Sequence, residues 1–150
     1  MRTLRSSNVN RPIPSAKIRE LAQRLLAYEI ARANVAETNM AALVLVAEKL
    51  RQPLVALSGI AGYRSLLARA LTLAKAHMPE LSTVQIEPDG SLEGFSDLDN
   101  QDEIAEAGVR LIAELLGLLV TFIGESLMLV LVRDGWPDLP ILDYATLEKK

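Results

Sequence analysis

"LLGLLVTFIGESLMLVLV", residues 115–132, is an almost unbroken apolar run with one carboxylate, Glu125, inside it. By length it is a candidate membrane span, since about 20 apolar residues suffice. Its polar residues point elsewhere. Placed at about 100° per residue, Glu103, Glu106, Arg110, Glu114, Thr121 and Glu125 fall within an arc of roughly 100°. Gly117 and Gly124 lie on the same arc, and Arg110 stands four residues from both Glu106 and Glu114. The run therefore continues a helix from about Asp102 to Arg133, with one narrow polar stripe and a wide apolar face. Such a helix belongs at the centre of a bundle. In a single span Glu114 and Glu125 would lie in or near lipid, at about 3 kcal/mol each, and no basic cluster flanks the run. Ala113, Gly117 and Thr121 add a ladder of small residues that would admit another backbone closely.

Working back from this helix, "SDLDNQDE" (96–103) is an acidic loop with several candidate caps. Before it, "STVQIEPDGSLEGF" (82–95) holds two short β-favouring runs around Pro88-Asp89-Gly90, which predicts a hairpin over about 83–95. "YRSLLARALTLAKAHM" (63–78) is a clean amphipathic helix, with Tyr63, Leu66, Leu67, Ala70, Leu71, Ala74 and Met78 on one face. The segment 40–52 repeats helical spacing through Met40, Leu43, Val44, Ala47 and Leu50, and Pro53 is expected to interrupt it. Ser15 is an N-cap candidate for a first helix, "AKIRELAQRLLAYEIARA", with a stripe of Ile18, Leu21, Ala22, Leu25, Leu26 and Ile30.

These elements predict a mainly α fold: four to five helices bundled around the long hydrophobic C-terminal helix, with a small β-hairpin inserted before it. Residues 1–14, with "RPIP", read as an extended basic arm and residues 15–133 as a single helical domain. The tail 134–150 reads as a segment that packs back or meets a partner.

The totals agree with one domain. The chain has 150 residues, half of them apolar, and a mean hydropathy of +0.21. So small a domain has little interior for so much apolar side chain, and a further surface is expected to cover part of it. The net charge of −3 hides an asymmetry. Residues 1–78 carry twelve Lys and Arg against four acids, whereas residues 79–150 carry four against fifteen. Oppositely charged halves dock on each other, on another copy or on an acidic partner. Without cysteine there are no disulfides, thiolate metal sites or cysteine nucleophiles. The basic N-terminal residues precede no apolar run of the kind an export signal requires, so a cytoplasmic location is expected.

Chemistry-bearing motifs are sparse. His77 is the single histidine, placed where the dipole of a helix C-terminus favours its cation, and no nucleophile elbow accompanies it. Asp97, Asp99, Asp102 and Glu103 lack the central glycine and distal glutamate of a calcium loop, so no metal is expected. Gly59, Gly62 and Arg64 form a weak anion-binding candidate before a helix, without a phosphate-loop lysine. Arg2, Arg5, Arg11, Lys17, Arg19 and Arg24 could neutralise phosphates, but no aromatic residues interleave them. No cofactor is implied, and the balance leans away from an enzyme.

The function expected is that of a non-catalytic helical protein–protein interaction module, either a self-assembling homo-oligomer subunit or a small regulatory adaptor. Its candidate contact residues are Arg110, Glu114, Gly117, Thr121, Gly124 and Glu125. The alternatives are a membrane-associated protein using the apolar helix 111–132, and an anion- or nucleic-acid-binding regulator working through the basic N-terminal half.

Overall fold

The computed structural model describes residues 16–33, 39–94 and 101–139. The expected arm over 1–14, residues 96–100 of the expected acidic loop and the tail beyond 139 lie outside the described residues, while residues 101–103 of that loop are helical. Four α-helices follow in order: α1 (Ala16–Ala33), α2 (Asn39–His77), α3 (Gln101–Ile123) and α4 (Glu125–Gly135). Between α2 and α3 lie a short 3-10 helix (Pro79–Thr83) and two strands, β1 (Gln85–Ile86) and β2 (Leu92–Glu93). The fold is a helical bundle with a small antiparallel hairpin.

α3 is the central helix. Its wide apolar face is covered by α1 and α2, which buries Ile104, Ala107, Val109, Leu111, Ile112, Ala113, Leu115, Leu116, Leu118 and Leu119. The first stripe is also seated as the periodicity implies, with Ile18, Leu21, Ala22, Leu25 and Leu26 buried and Ile30 left exposed. Arg19 ties the basic half to the acidic one: its Nη2 donates to both carboxylate oxygens of Glu106, each at 2.9 Å. Both side chains are about as exposed as a surface pair, so this link is worth no more than about 1 kcal/mol.

Two long helices fold differently from the sequence reading. α2 runs straight through Pro53 and breaks at Gly59, whose backbone has φ 80°, ψ 169°. Proline removes its own donor and crowds the preceding turn, but buried Leu50 and Leu54 on either side hold the helix against the core. At Gly59 the chain turns back. Tyr63 and Arg51 both border Gly90, although in a straight helix they would stand about 18 Å apart. The limb 60–77 is thus bent back toward the limb 39–58, and the hairpin turn rests against both.

The helix expected over 102–133 is likewise two helices. Gly124, with φ 90° and ψ 155°, separates α3 from α4, so the most apolar helix is followed by another rather than closing the fold. Leu54 and Leu119 share one pocket, yet Gly135 lies against Lys49. After Gly124 the chain therefore heads back along α2. The apolar part of α3 over 111–123, interrupted by Glu114, would span only about 20 Å, against the roughly 30 Å of a bilayer core.

The hairpin pairs Gln85 with Glu93 and Ile86 with Leu92. Its turn is closed by Gly90 N–H donating to Glu87 O and Glu87 N–H to Ser91 O, both 2.8 Å. Asp89 Oδ1 accepts from the Ser91 hydroxyl (2.7 Å) and backbone N–H (2.9 Å). Those bonds hold its carboxyl below the usual carboxylate range.

Candidate interaction surface

The two glycine breaks lie at the same end of the bundle, since one pocket is lined from residues 54–69 on one side and 119–123 on the other. Each break is built the same way. A hydroxyl just ahead of the glycine donates back to a carbonyl one turn earlier: Ser58 Oγ to Leu54 O at 2.8 Å, and Thr121 Oγ1 to Gly117 O at 3.2 Å. Such bonds bend a helix. The glycine then adopts a backbone conformation closed to side-chain-bearing residues. Beyond Gly59 the chain passes so close to Ser58 that a Cβ on Gly62 would lie 2.6 Å from it.

Folding an apolar helix back on itself leaves apolar side chains on the outside of the fold, where no other described element covers them. Leu57 is 58% exposed and Phe122 61% exposed, with Ile60 and Leu127 exposed in part. Between the two folds lies a pocket of about 380 Å³, walled by Leu54, Leu57, Leu66, Leu119, Phe122 and Ile123. Arg69 stands in its lining, and Glu125 follows Gly124 just past Ile123. Neither Arg69 nor Glu125 has an ion-pair partner among the described residues.

The stripe residues are not equivalent. Thr121, Gly124 and Glu125 sit at this end, where Thr121 and Gly124 are exposed and Glu125 half-buried. Arg110 and Gly117 are half-buried, and Glu114 is buried at 1% exposure with Oε1 lacking any hydrogen-bond partner. Burial pushes the Glu114 carboxyl above its ordinary range, and the Arg110 guanidinium opposes that shift. Of the weak anion candidates, Gly59 and Gly62 serve the fold-back itself, while Arg64 is half-buried with Nε out of contact with any acceptor.

At the other end of α2's first limb is a polar cluster that sequence reasoning missed. Glu29, 4% exposed, accepts on Oε2 from Lys49 Nζ (2.6 Å) and from the Trp136 indole N–H (2.7 Å). The Lys49 ammonium also stands 5.3 Å from the Trp136 ring centre and 5.7 Å from that of Tyr28, within cation–π range. One carboxylate thus joins α1, α2 and the residue that stops α4. Its signal was available: Glu29 follows Leu25 and Leu26 by four and three residues, squarely on the buried stripe. A charge there requires a partner. Leu57 and Phe122 carried no comparable signal, because only the course of the chain after the glycines decides which apolar side chains stay uncovered.

With this geometry in view, no protein-family model matches the chain, and neither a curated protein nor a solved structure matches it.

Proposed function

We propose that the protein is a non-catalytic helical interaction module that associates with a second copy of itself through the apolar end formed at Gly59 and Gly124. The observation that carries this reading is the outward placement of Leu57 and Phe122 beside an apolar pocket. Fully covering a side chain of that size is worth about 1.5–3 kcal/mol, so Leu57 and Phe122 on one pocket supply a driving force for association. The patch also offers charges of both signs at its edge, Arg69 and Glu125, which suits it to a protein surface rather than to hydrocarbon.

Light scattering tests the reading. The wild-type chain is expected to give a defined species heavier than the 16.4 kDa monomer, and Leu57→Glu and Phe122→Glu should each shift it to the monomer with the helical spectrum intact. A wild-type monomer at every accessible concentration would overturn it. So would a monomer that floats with anionic or neutral lipid vesicles through the same two residues.

A further inference from the structure

We infer that the assembly is a two-fold symmetric dimer in which Arg69 of each chain pairs with the partner's Glu125 across the facing apolar pockets. The inference rests on the self-association reading above and adds its geometry. Three features lead to it.

First, two unpaired charges of opposite sign lie on different elements at this end: Arg69 lines the pocket from the returning limb of α2, and Glu125 begins α4 two residues after Ile123, which also lines it. Both line or adjoin the same pocket, yet they make no pair with each other or with any other described residue. A two-fold axis through the patch carries each onto the opposite side, so the two unlike charges meet twice. A self-complementary surface is what an isologous dimer requires.

Second, the hydroxyls at the two breaks do not compete for these charges, because Ser58 donates to Leu54 O and Thr121 to Gly117 O. Third, the most protruding side chain, Phe122, stands at the mouth of the pocket whose wall it forms. Apposing two copies lets each Phe122 enter the other's open pocket, the arrangement in which aromatic anchors contribute most to an interface.

Charge reversal with mixing decides the matter. Arg69→Glu alone places two glutamates opposite each other at both contacts, and Glu125→Arg alone places two arginines there. Each variant should weaken its own dimer by about tenfold or more, since like charges are costly at an interface. Mixed one to one, the two variants should recover a dimer of near wild-type affinity, because every contact in the mixed species again joins opposite charges. Sedimentation reads both results, and differential labelling shows that the recovered species holds one chain of each kind.

If Phe122→Glu dissociates the wild-type assembly but the mixture is no tighter than its components, the two-fold register is wrong while self-association stands. If both reversed variants dimerise as the wild type does, the register is also wrong. A monomeric wild type removes the reading and the inference together.

Discussion

Glu114 is a carboxylate placed inside the hydrocarbon layer that the neighbouring helices make over α3, with one oxygen unsatisfied. Desolvation is the larger influence on it and Arg110 the smaller, so its folded-state affinity for a proton exceeds the unfolded one. A carboxyl raised in this way favours folding below its ordinary value of 4.5 and loses that contribution as pH climbs through the raised value. Thermal melting followed from mildly acidic to neutral pH should therefore fall more steeply for the wild type than for Glu114→Gln. Parallel curves would show that the carboxylate finds a partner in solution. Glu29 presents the opposite case, a buried carboxylate whose oxygen is doubly satisfied. Lys49→Met leaves that charge with the indole alone and is expected to cost about 3 kcal/mol. Glu29→Gln keeps an acceptor for Trp136, and Lys49, partly exposed, can turn to water. Denaturant titration should rank Lys49→Met well below Glu29→Gln, and equal losses would mean that the ion pair does not anchor the cluster.

At the scale of elements, glycine decides the architecture, and three of them separate its uses. Gly59 and Gly124 hold φ near +80° to +90° with extended ψ, a region that costs another residue about 1–3 kcal/mol. Gly124→Ala should lose about that much stability, or lengthen α3 and pull α4 off the core. Gly108 is an ordinary helical residue where an added Cβ would meet Leu26 at 3.5 Å and Leu43 at 3.7 Å, both normal contact distances. Gly108→Ala should therefore gain about 0.5–1 kcal/mol from helix propensity. A pair of melting curves distinguishes these, and loss at Gly108 would reveal tighter packing than the distances imply.

The same glycines mark how far the fold was legible in the sequence. Periodicity placed α1 from Ala16 to Ala33 and the apolar face from Tyr63 to Met78, because a stripe of buried side chains is a local property of the chain. It also carried one helix across Gly124, since a glycine within a good helical pattern reads as a small loss of propensity. Whether such a residue continues or reverses the helix depends on what the following residues pack against. Met128, Leu131, Val132 and Trp136 are buried only if α4 returns to the bundle. Glycine made that return possible, and their burial favours it. Pro53 misled for the converse reason: a local penalty was outweighed by Leu50 and Leu54 packing on either side of it. Of the candidate surface, Gly124 and Glu125 were named by the polar stripe, Gly59 only as part of a weak anion-binding candidate, and Leu57 and Phe122 follow only from the three-dimensional course.

For the whole molecule, the charge division that looks pronounced in the sequence is met in part inside the fold. α1 packs against α3, where Arg19 pairs with Glu106, whereas the ion pairs Lys49–Glu29 and Arg51–Glu48 join residues of the basic half alone. The described residues also leave large apolar side chains exposed, Leu57 and Phe122 at the fold-backs most of all. Association should then carry the signature of hydrocarbon burial rather than of long-range charge. The dissociation constant is expected to fall as temperature rises from about 5 to 25 °C, because apolar association is entropy-driven in that range and weakens on cooling. Dilution calorimetry at several temperatures should return a negative heat-capacity change for dimer formation. Raising salt beyond about 0.15 M should weaken the dimer only slightly: two flanking pairs at the rim lose some attraction, while the Phe122 and Leu57 contacts are unaffected by screening. A dimer that dissolves on modest salt addition and shows no heat-capacity change would instead be held by the opposing charges of the two halves, and the apolar end would have to be covered by something else.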